Sequence, residues 1–294
     1  CYLDAEFRGG LKTDELNTEE CFKVIDQIAE VNPNAFLILT GGEPLLRPDI
    51  YEIIRYAADR KFMGVLGTNG TMINRVNAEK IKAAGAHGVG ISIDSMNPDK
   101  HNKFRGVNKA WELSMDAFDI LNEVGVDFLV QMSVSDMNYK EIPEVVEFTE
   151  KIGAIAFNLY FLVCTGRGQG NTDISNAAYE EALKMLYDQQ MKYKGKLMIN
   201  SKCAPQYKRV VYENDPESVY TRTYSGGCPA ATHYSRISPE GNLTPCPFIE
   251  ESVGNLKSRS FKDLWENAPL MIQLRDRKEL DGKCGTCEFS AMCS

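Results

Sequence analysis

The sequence predicts an α/β protein: parallel strands joined by helices, followed by a small cysteine-rich module built on a hairpin. Three observations carry this. Short apolar runs alternate with amphipathic segments of helical period from about residue 17 to residue 163, with short connections; strands that alternate with helices lie parallel and are joined by helical crossovers. Polar residues and glycines fall at the carboxyl end of one apolar run after another, which is where parallel barrels keep their chemistry. Five cysteines, Cys228, Cys246, Cys284, Cys287 and Cys293, gather toward the carboxyl end, and their paired short spacing suits ligands around a common centre better than disulfides.

Composition bounds the reading. The 294 residues, 43% hydrophobic and 25% charged, fit a soluble globular protein of one large domain or two. No apolar run is long enough to cross a bilayer, and no signal peptide is seen. A net charge of −8 argues against general nucleic-acid binding, so an anionic substrate would need locally placed Arg or Lys. Nine cysteines is an odd total that complete disulfide pairing fits poorly. These features point to a cytoplasmic protein with neither nucleic acid nor membrane as partner.

In chain order, Cys21, Phe22, Val24, Ile25 and Ile28 recur at helical spacing over residues 17–30, and Cys21 reads as a core thiol. Residues 35–40 form a short apolar strand, closing in Leu39-Thr40-Gly41-Gly42-Glu43-Pro44, and a helix runs from Pro48 and Asp49 to about Arg60. The next strand, 62–66, ends in Gly67-Thr68-Asn69-Gly70, a turn signature. A helix over 74–84 and a strand over 88–93 follow, ending Ser92-Ile93-Asp94-Ser95. A polar segment containing His101 and Phe104-Arg105-Gly106 precedes a helix over 110–123, a strand over 127–133, a helix over 142–152 and a strand over 156–163. Residues 176–193 read as a helix and 197–200 as a short strand, inside a bridging segment. Lys202, Lys208, Arg209 and Arg222 read there as a solvated basic face. An alternating strand, a Pro239-Glu240-Gly241-Asn242 turn and a return strand then form a hairpin that sets Cys246 just past the turn.

Cys1 followed by Tyr2, and then strand–Gly41-Gly42-Glu43-Pro44–helix, resembles the start of a radical S-adenosylmethionine (SAM) enzyme. In that superfamily cysteines spaced C-x3-C-x2-C hold a 4Fe–4S cluster. Cys1 fits the third, and the other two would lie upstream, so the chain is expected to be a trimmed piece of a longer one. Three thiolates leave one iron without a protein ligand. The resemblance implies that SAM's amino and carboxylate groups take that place, that an electron reaches the sulfonium, and that a 5′-deoxyadenosyl radical abstracts a substrate hydrogen. It also implies a partial (β/α)6 TIM-like barrel. Gly41 and Gly42 would let the backbone approach the methionine ammonium, and Glu43 would help fix it; the plainer alternative is a strand-to-helix turn. On the same rim Thr68, Asn69, Ser92, Asp94 and Gln131 become candidate cofactor-binding residues, the last three toward SAM's ribose and carboxylate, with backbone near residues 162–164 toward adenine. Glu43 and Arg105 are the candidate catalytic residues, Arg105 gripping a carboxylate of SAM or substrate through a bidentate pair; its alternative is a surface ion pair. His87 and His101 have no ligand spacing and are read as non-ligands.

From Cys228 the pattern C-x12-G-x4-C, a gap, then C-x2-C-x5-C resembles the SPASM extension of radical SAM maturases. The resemblance implies that Cys228 and Cys246 ligate one auxiliary 4Fe–4S cluster, with Cys203 a further ligand, and that Cys284, Cys287 and Cys293 ligate a second. The extension normally continues through further cysteines, so the carboxyl end is also expected to be trimmed. Zinc is the alternative for paired cysteines of this spacing. The expected organisation is a barrel over 1–170, a bridge over 171–227 and the SPASM-type module over 228–294.

Residues 158–168 and Trp265-Glu266-Asn267-Ala268-Pro269-Leu270, with Leu274-Arg275-Asp276-Arg277, resemble the siroheme-dependent haem-synthesis branch. The expected reaction is loss of two acetate side chains from 12,18-didecarboxysiroheme to give iron-coproporphyrin. A sister enzyme of that branch decarboxylates propionates of iron-coproporphyrin oxidatively. Arg105 and Arg167 are candidate carboxylate clamps, and a flavodoxin or ferredoxin is the expected electron donor. Two alternatives stand: a maturase acting on a peptide or protein, and a non-catalytic zinc-stabilised binding scaffold.

Overall fold

The computed structural model describes residues 14–163, 165, 174–218, 227–276 and 280–293. Cys1, Cys164, Arg167 and Arg222 lie outside the described residues. The described chain falls into two compact units, one of residues 34–202 and one of 14–33 with 203–294.

The first unit is a six-stranded parallel sheet in sequential order: β1 (Phe36–Leu39), β2 (Met63–Thr68), β3 (Gly88–Ser92), β4 (Phe128–Val134), β5 (Ala156–Phe161) and β6 (Met198–Lys202). Helices α2 (Ile50–Asp59), α3 (Arg75–Ala83), α4 (Pro98–Arg105), α5 (Ala110–Val124), α6 (Ile142–Lys151) and α7 (Asn176–Lys192) make the crossovers. Six strands paired only to their sequence neighbours, with every crossover helical, form the curled half-barrel that the alternation predicted. The sixth strand, expected as a short strand in the bridge, pairs with β5 from Ala156↔Met198 to Tyr160↔Lys202.

Side-chain alternation sets the two faces. Leu66, Val89, Ile91, Val130, Met132, Phe157 and Leu159 turn toward the helices and are buried, so each strand of the middle sheet reads as a nearly continuous apolar run. In β4 the intervening residues Leu129, Gln131 and Ser133 stay partly open. On the helix side, Phe118 of α5 sets its ring 5.2 Å from Phe128 and 5.9 Å from Phe148, centroid to centroid.

Helix α4 occupies the segment expected to be merely polar. Asn97 caps it by accepting from the Lys100 amide, Pro98 opens it, and Gly106 closes it at φ 67. Both stop signals are present in the sequence, but within the helix only His101 is buried, so no apolar period marks it.

In the second unit, α1 (Thr18–Val31) begins in a reciprocal cap: the Glu20 amide donates to Asn17 Oδ1 and the Asn17 amide to Glu20 Oε2, both at 2.9 Å. Gln27 of α1 accepts from the Phe261 amide at 2.7 Å and donates to the Leu256 carbonyl. A three-stranded antiparallel sheet follows, of β7 (Arg236–Ile237), β8 (Asn242–Thr244) and β9 (Gly254–Asn255); the first two form the expected hairpin. Lys208, read from sequence as part of a solvated face, lies on α8 (Tyr207–Asn214) and is 4% exposed.

Phe118→Ala empties a site enclosed by two other rings, and we expect a loss of about 3–5 kcal/mol in urea unfolding of the first unit's signal. A loss under about 1 kcal/mol would mean that this aromatic cluster does not hold α5 to the sheet.

Candidate functional site

The carboxyl ends of the strands are tied together by two acids, Glu43 half-buried and Asp94 buried. Glu43 follows β1 and begins a short 3-10 turn at Pro44. Its carboxylate accepts from the Leu45 amide at 3.2 Å, from Thr68 Oγ1 at 2.8 Å and from the Asn69 amide at 3.0 Å. Glu43, Thr68 and Asn69, three separate candidates by sequence, are thus a single bonded group across the ends of β1 and β2. Burial nevertheless raises the Glu43 carboxyl above its ordinary range, against those three donors. All three are neutral: among the described residues no Lys or Arg pairs with Glu43.

Gly41 lies beside it at φ 149, and a Cβ there would meet nothing within 4 Å. The peptide borders open space in a conformation that suits glycine. Gly67 faces Thr40, and Gly90 faces the Gln131 amide, 2.9 Å from where a Cβ would stand. Ser92, Gln131, Asn158 and Asn200 are register partners from β3 to β6. They form one polar row on the face opposite the helices, closed by an Asn200 Nδ2 to Asn158 Oδ1 bond of 2.9 Å. Asn158 and Asn200 are site residues that sequence reasoning missed. The available signal was an amide inside the apolar run Ala156-Phe157-Asn158-Leu159.

Asp94 is 1% exposed. It accepts from Arg105 Nε at 2.5 Å and from the Ser133 amide at 2.9 Å. Its own amide donates to His101 Nδ1 at 3.2 Å, and its carbonyl accepts from Asn138 Nδ2 at 2.8 Å. The structure therefore spends the Asp94 carboxylate on this chain, half of it on Arg105. His101 bonds no metal-like group; its ring accepts a backbone N–H and is 1% exposed.

In the second unit Cys246 accepts an N–H···S bond from the Phe248 amide at 3.2 Å. Burial raises this thiol, the Phe248 and Ile249 amides lower it, and the charge of nearby Cys228 raises it again. Cys293 is raised by burial and then by Cys287 and Cys284, and is lowered by Arg209 and Lys208. Cys228 is thus close enough to Cys246, and Cys284 and Cys287 to Cys293, for their charges to be felt. No disulfide joins two of the described cysteines. Among the described residues no three His, Cys, Asp or Glu converge closely enough to hold a single metal ion.

Amide donors aimed at a thiol, next to a second thiol, are what an iron–sulfur cluster asks of its surroundings. A half-buried carboxylate with neutral donors only, beside an open glycine peptide, likewise fits an ammonium ligand. Residues 1–149 match the Radical SAM superfamily. The chain belongs to that superfamily. Residues 228–288 match SPASM, an iron–sulfur cluster-binding domain, which overturns the zinc-stabilised scaffold. This radical SAM protein is an enzyme, and its cofactors are SAM and 4Fe–4S clusters. It is 36% identical over 288 residues to AdoMet-dependent heme synthase of Methanosarcina barkeri, covering 95% of this chain and 82% of that one. It is 28% identical over 319 residues to Fe-coproporphyrin III synthase of the same organism, covering 100% and 78%. Streptococcus suis SuiB bound to S-adenosylmethionine shares the fold at a TM-score of 0.77 and 19% identity, over 100% of this chain and 68% of that one. Among the described residues no helix is long and apolar enough to cross a membrane.

His101 makes a pH prediction. Burial, with Arg105, holds its imidazole down at about 4 against the pull of Asp94 and Glu112. The unfolded chain takes up this proton near pH 6.5 and the folded chain only near 4. The His101 contribution to stability is therefore intact above about pH 6.5 and is lost as pH falls toward 4, by about 3 kcal/mol in all. His101→Gln keeps an acceptor for the Asp94 amide and removes the titration. We expect the stability-versus-pH curve of the variant, from urea melts between about pH 7 and 4, to fall less steeply than wild type. Parallel curves would refute the assignment.

Proposed function

We propose that this radical SAM enzyme works in haem biosynthesis, removing propionate carboxyl groups from iron-coproporphyrin. The observation that carries this is the 36% identity to AdoMet-dependent heme synthase over 95% of the chain. The sequence motifs alone point to acetate loss from didecarboxysiroheme and give this reaction only as that of a sister enzyme. The lower identity, 28%, to Fe-coproporphyrin III synthase supports the reverse order. Converting a propionate to a vinyl group removes one hydrogen atom, one carbon dioxide and one further electron. The reaction therefore needs both a hydrogen abstractor and an electron acceptor.

When bound, SAM and its cluster supply the carbon radical that takes the hydrogen, and the SPASM region holds groups able to accept the electron. This chain's residues bind and orient. Glu43 would hold the SAM ammonium, beside the open Gly41 and Gly42 peptides, with Thr68 and Asn69 fixing the carboxylate. Ser92 and Gln131 would face the ribose from the inner row. Arg105 would hold a carboxylate of SAM or substrate, using the terminal nitrogens that Asp94 leaves over. Cys1 would be a ligand of the SAM-binding cluster. Cys228 and Cys246 would ligate one auxiliary cluster, and Cys284, Cys287 and Cys293 another. The metal-ligand spacing of the cysteines supports a cytoplasmic setting, and the electron demand supports a ferredoxin or flavodoxin partner.

The test uses the full chain, reconstituted with iron and sulfide without oxygen and given SAM and a reductant. It is offered iron-coproporphyrin, didecarboxysiroheme or neither, and 5′-deoxyadenosine and tetrapyrrole mass are followed. We expect iron-coproporphyrin to stimulate deoxyadenosine formation and to lose carboxyl groups as carbon dioxide. Loss of acetate from didecarboxysiroheme, with iron-coproporphyrin untouched, would restore the other order. Deoxyadenosine formation with both tetrapyrroles unchanged would turn the search to peptides.

Glu43→Gln separates the binding role from a structural one. It removes the charge but turns an amide N–H toward the Leu45 or the Asn69 amide, donor against donor, so thermal stability should fall modestly, and SAM binding is read on the folded protein. Loss of a charge-assisted bond, worth about 1.5–3 kcal/mol, should weaken SAM binding by about ten- to a hundredfold in equilibrium dialysis. Unchanged SAM affinity would remove Glu43 from the site.

A further inference from the structure

We propose that Asp94 is a positioning residue for Arg105, holding the guanidinium by Nε so that its terminal nitrogens face a carboxylate ligand. The inference rests on the reading of Arg105 as a carboxylate clamp, and it assigns Asp94 a different role from contact with SAM.

The two oxygens of Asp94 have separate tasks. Oδ1 accepts from the Ser133 amide at the end of β4, at 2.9 Å. Oδ2 accepts from Arg105 Nε. An Arg–carboxylate pair usually closes through two parallel bonds. Here the second oxygen is already engaged by the sheet, and the ion pair forms through Nε. Among the described residues, the Arg105 terminal nitrogens have no hydrogen-bonding partner. The Asp94 carboxylate is 1% exposed and the Arg105 side chain 26%, so the anion is enclosed and the cation reaches an opening.

Asp94 is itself immobilised from several sides. Its amide is bonded to His101 Nδ1 and its carbonyl to Asn138 Nδ2. Asn138 also donates to the Ser133 carbonyl at 2.9 Å and accepts from the Ser135 amide at 2.7 Å. His101 and Arg105 are i and i+4 on α4, so they lie on one helix face. Asp94 meets both, which fixes the turn of α4 that carries Arg105. A buried carboxylate with this many fixed donors is preorganised, and a guanidinium held by one edge keeps its fork geometry for the other.

The ligand chemistry is a carboxylate, and two sources offer one: the methionine of SAM and the propionates of the tetrapyrrole. Asp94→Asn keeps the shape and the acceptor for Ser133, but it turns an amide N–H toward Arg105 Nε, donor against donor. The protein is compared as wild type, D94N, R105Q, R105K and D94N/R105Q. Binding is measured for SAM, for decarboxylated SAM and for iron-coproporphyrin.

We expect D94N and R105Q each to weaken binding of the carboxylate-bearing ligand by about tenfold or more, and the double variant to be no weaker than R105Q alone. R105K should lose as much as R105Q, because a lysine ammonium lacks the fork needed to serve Asp94 and a ligand together. Because R105K leaves Asp94 in place, this comparison survives if D94N fails to fold. If SAM is the source, the variants bind decarboxylated SAM as wild type does; if the tetrapyrrole is, only its affinity falls. Wild-type affinity in R105Q for both ligands sinks the clamp reading and the inference with it. A loss in R105Q with D94N unchanged, effects of D94N and R105Q that add, or wild-type affinity in R105K, overturns the positioning role and leaves the clamp standing.

Discussion

Two carboxylates hold the working end of this sheet together. Parallel strands cannot be joined by tight hairpins; each ends in a loop that leaves for a helix, so side chains must tie neighbouring strand ends. Glu43 does this for β1 and β2 by taking a hydroxyl and an amide at residues 68 and 69. Asp94 does it for β3 and β4 by taking the Ser133 amide. Between the pairs, Ser114 of α5 donates to the Asn69 carbonyl at 3.1 Å, and Gly70 sits at φ 81 against Ile91 and Ser114, where a side chain would crowd both. The rim is therefore bonded within each pair, β1 with β2 and β3 with β4, and packed between the pairs through Ser114 and Gly70.

The two acids differ in how their charge is met. Asp94 has Arg105; Glu43 has neutral donors, and burial raises its carboxyl. An uncompensated buried anion costs stability, and such a cost is retained where a ligand offsets it. On the proposed reading, Glu43 would take a cation and Arg105 an anion. A ligand carrying both an ammonium and a carboxylate would satisfy the two together, which is the chemistry of the methionine part of SAM.

Most of the sheet was legible because burial on one or both faces writes an apolar run, and the helices because an apolar stripe repeats every three or four residues. What escaped did so for physical reasons. Helix α4 touches the interior through His101, and its stabilisation comes from Asn97, Pro98, Gly106 and ties to Asp94, none of which makes a period. Strand β6 ends Asn200-Ser201-Lys202 because one of its faces carries the polar row rather than core, so its pattern fades before its pairing does. Helix α1 shows a clear stripe, but nothing in a stripe says what it packs on; the Gln27 bonds to Leu256 and Phe261 supply that. Among the site residues, Glu43, Thr68 and Asn69 were visible singly, as turn chemistry at strand ends. That they form one group depends on β1 and β2 being in register, Leu39 beside Leu66. Asp94 was visible too, but its engagement by Arg105 and Ser133 required three elements to meet.

The cysteine-rich unit makes the same point from the opposite direction. Its spacing by itself names the candidate ligands, since sulfur chemistry restricts what paired cysteines do. Spacing is silent on what surrounds the sulfurs. Phe248 aims an amide at Cys246, and the Gly227 backbone lies so near the Cys293 carbonyl and the Pro205 ring that a Cβ would collide with both. Gly227 precedes Cys228, so this close approach brings the stretch of chain bearing Cys228 up to the Cys284–Cys293 group. A bulkier residue at 227 would push those segments apart without touching a thiol. In this unit a glycine with no chemistry of its own sets how closely the Cys228 segment approaches Cys293.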